Sequence, residues 1–308
     1  MWFKTTSRRK QAEPERTRLF DDAFLRRLEQ LSLQVQRTLR GRPAFGAHPS
    51  RRQLPAIIFS DHRPYSAGDD YRYVDWNAYA HQEEIFVKLG ETDQSIAVHL
   101  LLDVSRSMDW GSPNKLRSAL QLAGALGYLA LSYNDRLFVQ PFGATTLRPF
   151  GPTNGKGRLI DMLKFLEGLR ADQPTALGDV LNNYAARFPQ GGLLVVCSDM
   201  LTPETLAHSL RVLEPPRWQV LVLHVVDQRE INPTPGELLE LVDSETGERL
   251  PLSLDDETIA LYKANLFAWQ EELRTTCARH GATYAPILTN WPLERQVIPY
   301  LRLRQILA

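Results

Sequence analysis

The apolar run Ile96-Ala97-Val98-His99-Leu100-Leu101-Leu102 ends abruptly in Asp103, and Ser105 and Ser107 follow at alternate positions. Spanning a bilayer takes roughly 18–20 apolar residues, so this run is too short for that. It reads instead as a strand buried on both faces, the habit of parallel sheets. Parallel neighbours are joined by crossover connections, usually helical, so this stretch points to an α/β chain. The polar residues fall where the strand leaves the sheet, and in open α/β sheets ligands bind at that carboxyl edge. One carboxylate and two hydroxyls on a short turn make a hard-oxygen cradle suited to Mg²⁺ or a similar ion.

The pattern repeats. Residues 136–142, 193–197, 218–226 and 283–287 are further strand candidates, and the run at 193–197 ends in Ser198-Asp199. Between them lie apolar faces at helical spacing. Leu116, Ala119, Leu120, Ala123, Leu126, Gly127 and Ala130 form one, with Ser112 as cap and Pro113 at the first position. Leu159, Ile160, Leu163 and Leu166 form a second, and Leu177, Val180, Leu181, Tyr184 and Phe188 a third, which Thr175 precedes as an N-cap candidate. Asp255 or Asp256 caps a long helix that Gly281 stops, and a terminal helix begins near Asn290. Residues 145–150 are a candidate hairpin partner for 136–142, and 238–242 with 249–252 read as a hairpin. The alternation predicts a doubly wound, mainly parallel sheet of Rossmann type, preceded by an N-terminal helix over 20–39 and an irregular collar.

The expected division is 1–94 for tail, helix and collar, and 95–308 for the α/β domain with a hairpin insertion near 236–253. The collar, centred on residues 59–80, mixes Gly, Pro, Asp, Arg and aromatics without a period. It is too rich in large residues for a disordered linker and reads as a structured loop region held by Arg–Asp pairs and aromatic contacts, ending in a strand at 85–89. Lys4, Arg8, Arg9 and Lys10 belong to a basic tail, expected to be solvated and poorly ordered.

Formal net charge is zero over 308 residues, so no global field attracts nucleic acid or an anionic membrane. Cys197 and Cys277 are far apart in apolar patterns and are expected to be reduced core thiols. With no secretory h-region and no membrane span, the expected location is cytoplasmic. Nothing points to an enzyme. Gly151-Pro152-Thr153-Asn154-Gly155-Lys156-Gly157 misses the phosphate-loop spacing and lacks Ser or Thr after the Lys. The histidines stand in no catalytic or metal spacing, and His99 and His224 lie inside strands as core residues.

Two buried strands thus end in Asp103 and Asp199, and Thr175 precedes a helix between them. Ser105, Ser107 and Thr175 can offer hydroxyl oxygens to a divalent cation, and the two aspartates balance its charge. An ion held in this way keeps a position for a carboxylate supplied by a partner protein. The series Asp103-Val104-Ser105-Arg106-Ser107, then Thr175, then Asp199, resembles the von Willebrand factor A domain and its metal-ion-dependent adhesion site. Upstream, Tyr65-Ser66-Ala67-Gly68-Asp69-Asp70-Tyr71-Arg72-Tyr73-Val74-Asp75-Trp76, followed by Val87-Lys88, resembles the signature of the DUF58 family, and the segment 241–248 also fits. The resemblance implies a von Willebrand A-like fold. It implies Mg²⁺ (or Mn²⁺ or Ca²⁺) on those five residues, and action with a MoxR-type AAA+ ATPase in chaperone-like assembly or maturation of a client. Ala176 departs from that pattern, in which an acidic residue often follows the Thr. Two alternatives remain: a scaffold with a degenerate site, and a metal-dependent hydrolase.

Overall fold

The computed structural model describes residues 3–5, 19–22, 24–29, 61–65, 71, 74–76, 78–79, 85–89, 95–202, 206–233, 238–243, 249–253 and 255–303. The chain divides into two compact units, one of residues 1–42 with 96–308 and one of residues 43–95.

The larger unit is built on strand β4 (Ala97–Asp103), whose residues after Ala97 are all buried. Strand β1 (Phe3–Thr5) comes before it, as do β2 (Asp61–Pro64) and β3 (Phe86–Leu89) of the smaller unit. After β4 come helix α1 (Lys115–Ser132), β5 (Arg136–Phe142) and β6 (Phe150–Thr153). Then follow α2 (Leu159–Glu167), α3 (Leu177–Arg187), β7 (Gly192–Ser198), α4 (Leu206–Leu210), β8 (Trp218–Val226) and α5 (Gln228–Ile231). The chain continues through β9 (Leu238–Asp243), β10 (Arg249–Ser253), α6 (Asp256–Arg279), β11 (Thr283–Leu288) and α7 (Ile298–Leu303).

Six strands form one sheet in the order β11-β8-β7-β4-β5-β6, parallel except for the antiparallel pair β5–β6. Leu100 sits between Val139 of β5 and Val195 of β7. The chain thus goes from β4 outward to β5 and β6, then returns to the other side of β4 with β7. That reversal is the switch point of a doubly wound sheet, and it opens a crevice at the carboxyl ends of β4 and β7. The α/β, mainly parallel, Rossmann-type architecture expected from the sequence is what is observed.

Helix α1 is small-residue rich where it packs. Ala119, Ala123, Gly127 and Ala130 are buried, and a Cβ on Gly127 would lie 2.4 Å from the Met162 sulfur of α2. A second core gathers Leu101, Leu181, Tyr184, Trp218, Val222 and Cys277 from β4, α3, β8 and α6. Cys197 and Cys277 are both buried free thiols, as expected. Near residue 20, Phe20, Phe24 and Leu28 are buried, and residues 24–29 are helical. The rest of the helix expected to residue 39 lies outside the described residues.

Several local expectations are corrected. Asn114, not Ser112, caps α1, accepting from the Arg117 N–H at 3.1 Å; Ser112 and Pro113 lie before the cap in a cis peptide. The antiparallel partner of β5 is Phe150–Thr153 rather than 145–150, of which Thr146 makes only an isolated bridge to Phe142. Ile160, expected on the buried face of α2, is exposed; Met162 takes that place beside Leu163 and Leu166. Ala176, not Thr175, is the N-cap residue of α3, which begins at Leu177. The N-terminal tail is not wholly unstructured, since β1 pairs antiparallel with β9, which also pairs with β10 in the expected hairpin. Arg8, Arg9 and Lys10 lie outside the described residues.

In the smaller unit, β3 is the strand expected at 85–89, and β2 pairs antiparallel with it where the sequence suggested only irregular structure. Val74 bridges Val87, and the Asp75 N–H donates to the Phe86 carbonyl at 2.8 Å. Trp76 and Tyr79 meet edge to face, with centroids 6.4 Å apart. Arg63 and Arg72, the arginines of the Arg–Asp pairs expected there, lie outside the residues whose side chains are described.

His99 belongs to the core, as its place in a strand suggested. Its Nδ1 lies 2.9 Å from the Tyr184 hydroxyl, and its ring stacks on Phe138 at 4.5 Å. Burial pushes its pKa down to about 4. The unfolded chain therefore takes up a proton between pH 6.5 and 4 that the folded chain resists. This contribution to stability is complete above pH 6.5 and is lost as pH falls toward 4. Asp103, raised to about 6, acts in the opposite direction over an overlapping range. A His99→Phe variant isolates the histidine: between pH 7.5 and 4.5, wild type should lose on the order of 2 kcal/mol more stability than the variant. Urea denaturation at the two pH values measures that difference, and parallel losses would contradict it.

Candidate functional site

Asp103 is the last residue of β4 and is 1 % exposed. Its Oδ1 accepts from the Ser105 N–H at 2.8 Å, and its Oδ2 accepts from the Ser198 hydroxyl at 2.6 Å. The first bond folds the chain tightly past the strand end, and the second ties β4 to β7. Burial, then the negative charge of Asp199, pushes the Asp103 pKa up to about 6 against the lowering effect of those hydrogen bonds.

Past the tight turn, the Ser105 and Ser107 hydroxyls stand 3.0 Å apart. Ser105 is fully buried and Ser107 half-buried. The Ser105 turn is clasped by the segment leading to Thr175. The Arg106 N–H donates to the Gln173 carbonyl at 2.8 Å, and the Gln173 N–H donates to the Val104 carbonyl at 3.3 Å. Gly143, just past β5, admits this segment, because a Cβ there would lie 2.2 Å from the Gln173 Cβ and 2.9 Å from the Pro174 carbonyl oxygen. Thr175, half-buried, is thereby carried to the edge where β4 ends.

Asp199 follows β7 and is also buried. Its Oδ1 accepts from the Leu201 N–H at 3.2 Å. Its Oδ2 accepts from Lys115 Nζ at 2.6 Å, and the same ammonium reaches Glu230 Oε1 at 3.0 Å. Burial alone would lower the Lys115 pKa, but Asp199 and Glu230 raise it above its ordinary range. Burial pushes Glu230 up, against the pull of Lys115.

A second network fixes the loop after Ser107. Asp227, which follows β8, accepts from the Ser112 N–H at 2.9 Å and from Arg229 Nε at 3.1 Å. With Glu230 it forms a capping box at α5. Gly111 lies against it at φ +101°, where a Cβ would sit 2.6 Å from Asp227 Oδ2. Trp110 is covered by Arg229, whose guanidinium carbon is 4.7 Å from the ring centroid.

Asp103, Ser105 and Ser107 are joined by direct hydrogen bonds, Asp199 by charge, and Thr175 through the backbone of its segment. Sequence reasoning missed Ser198, Lys115, Glu230 and Asp227. Ser198 stands beside Asp199 at a strand end, and the Asp227-x-x-Glu230 spacing is a capping-box pattern, so both were legible. Lys115 gave a weaker signal, as a lone cation beside the apolar face of α1. Among the described residues no group of three or more His, Cys, Asp or Glu side chains could hold a metal ion. Any cation here would rely on hydroxyl donors, a set that fits a hard ion.

Fold and site together define a doubly wound α/β protein with a hydroxyl–carboxylate cluster at its switch point. Residues 61–272 match the family described as protein of unknown function DUF58, and the chain belongs to that family. Relatives include uncharacterized proteins of Mycobacterium tuberculosis and Mycobacterium bovis, each 27 % identical over 238 residues, covering 74 % of this chain and 73 % of theirs. Among solved structures, BatB from Bacteroides thetaiotaomicron is 18 % identical with a TM-score of 0.43, covering 69 % of this chain and 98 % of that one. An aerotolerance-related membrane protein from Bacteroides fragilis is also 18 % identical, with a TM-score of 0.41, covering 68 % and 98 %. Likeness at that level carries no assignment, and the fold is established by its own strand order. Among the described residues no helix is long and apolar enough to cross a membrane.

Removing the Ser198 hydroxyl leaves a buried carboxylate oxygen without its donor. Ser198→Ala should cost about 1–3 kcal/mol of stability near neutral pH. A denaturant midpoint equal to that of wild type would show that the bond to Asp103 is not holding β4 to β7.

Proposed function

We propose that the protein is a metal-dependent protein-binding adaptor and not an enzyme. Its von Willebrand factor A-like adhesion site takes Mg²⁺, or Mn²⁺ or Ca²⁺. The observation that supports this most is the pair of hydroxyls on Ser105 and Ser107, 3.0 Å apart, on a turn that the buried Asp103 fixes. In this reading Ser105, Ser107 and Thr175 hold the ion, and Asp103 and Asp199 balance its charge. A bound divalent ion would supply a Lewis-acid position that accepts a carboxylate from a partner protein.

The chain's own residues prepare that position. Asp103 is already engaged by two hydrogen bonds, which keep its charge close to the hydroxyls while restraining it from turning outward. The Gln173 clasp ties the segment that carries Thr175 to the Ser105 turn. The family resemblance points to a MoxR-type AAA+ ATPase and its client as partners, and the proposed location is the cytoplasm. A metal-free scaffold is the reading that the Lys115–Asp199 pair favours, because that pair already neutralises one of the two carboxylates.

Two measurements decide between them. Calorimetry should show Mn²⁺ or Mg²⁺ binding to wild type, weakened at least about tenfold in Asp103→Ala, the range in which residues supporting metal ligands act. Capture of a co-purified AAA+ ATPase should weaken with EDTA and with Asp103→Ala. Equal capture by both proteins, with and without metal, would sink the adaptor mechanism, and absence of metal binding at millimolar concentration would leave the scaffold.

A further inference from the structure

Lys115 is the first residue of α1, where a cation opposes the helix dipole. It is nevertheless 1 % exposed, with its ammonium set between Asp199 and Glu230. Helix stability does not explain a lysine there. The neighbouring charges do. Asp199 acts on Asp103 from one side and shares the buried Lys115 ammonium with Glu230 on the other, so three carboxylates and one ammonium are linked in series at this edge. Asp227 is neutralised separately by Arg229. Three carboxylates against one ammonium leave two negative charges, the deficit that one divalent cation fills.

We propose that Lys115 is a specificity-determining residue that sets the valence of the ion accepted at the Ser105–Ser107 site. This rests on the metal-binding reading above. Lys115 acts in two ways. It lowers the negative charge of the cluster so that a divalent ion, rather than a trivalent one, closes the balance. It also occupies Asp199 Oδ2 while the Leu201 N–H occupies Oδ1, which keeps Asp199 as a hydrogen-bonded counter-charge and leaves direct contact to the hydroxyls.

The test uses the full chain, titrated with Mn²⁺ by calorimetry and with Tb³⁺ by luminescence. Lys115→Met adds one uncompensated negative charge, so Mn²⁺ should bind at least roughly tenfold tighter than to wild type. Preference for Tb³⁺ over Mn²⁺ should rise further still. Glu230→Gln removes one negative charge on the more exposed side of Lys115, keeps an acceptor for the Asp227 N–H, and should weaken Mn²⁺ binding several-fold. Melting in EDTA monitors folding; Lys115→Met should melt lower, since it strands buried carboxylates. If Lys115→Met does not fold, Glu230→Gln decides alone. Unchanged Mn²⁺ affinity and unchanged Tb³⁺ preference in the folded variants would overturn the role of Lys115 while leaving the metal site standing. Loss of Mn²⁺ binding in wild type and variants alike would instead refute the metal-binding reading, and this assignment with it.

Discussion

The carboxyl edge of this sheet depends on Asp103 accepting two hydrogen bonds at once, from the Ser105 N–H and the Ser198 hydroxyl. Adjacent parallel strands whose crossovers lead in opposite directions leave a gap where they end. Asp103 stands in that gap. One of its oxygens shapes the turn that carries Ser105 and Ser107, and the other holds the end of β7, from which Asp199 projects. A carboxylate buried in this way is costly unless fully bonded, so the same two bonds that position the site also make its burial tolerable.

Around that anchor the charges are arranged in two tiers. Asp227 and Arg229 form a partner pair at the rim, with Arg229 half-exposed over Trp110. The inner tier is buried and unevenly matched, with Lys115 serving two carboxylates while Asp103 depends on neutral donors. In a low-dielectric interior such an imbalance is felt strongly, whereas the same groups in water would be screened. The strand order puts this inner tier at the switch point of the sheet, the carboxyl edge at which open α/β sheets bind ligands.

Much of this was legible in the sequence because the signals were local. The unbroken apolar run before Asp103 announced a strand buried on both faces, and the bounds expected for 136–142 and 218–226 are those observed. Capping was harder to read. Ser112-Pro113 looks like a helix start, yet Asn114 sits two residues on with its own side chain aimed back at Arg117. Thr175 has the composition of a cap but is held by β-bridging at Gln173, a long-range contact that local pattern cannot reveal. Lys115 gave only a weak signal for the same reason. Its partners Asp199 and Glu230 lie 84 and 115 positions away, and only the folded sheet brings them together.

The winding order of the sheet also bears on how the chain is made. The central strand β4 is synthesised first among the six, and β5 and β6 soon cover one of its sides. Its other side must wait for β7, which is complete only at Ser198. A nascent chain that has reached β6 therefore carries a long apolar strand with an open parallel edge, the kind of surface that recruits other chains. Translation that stalls in this interval would leave a hazardous intermediate on the ribosome. The growing protein has a reason to be shielded there until β7 emerges and closes the edge.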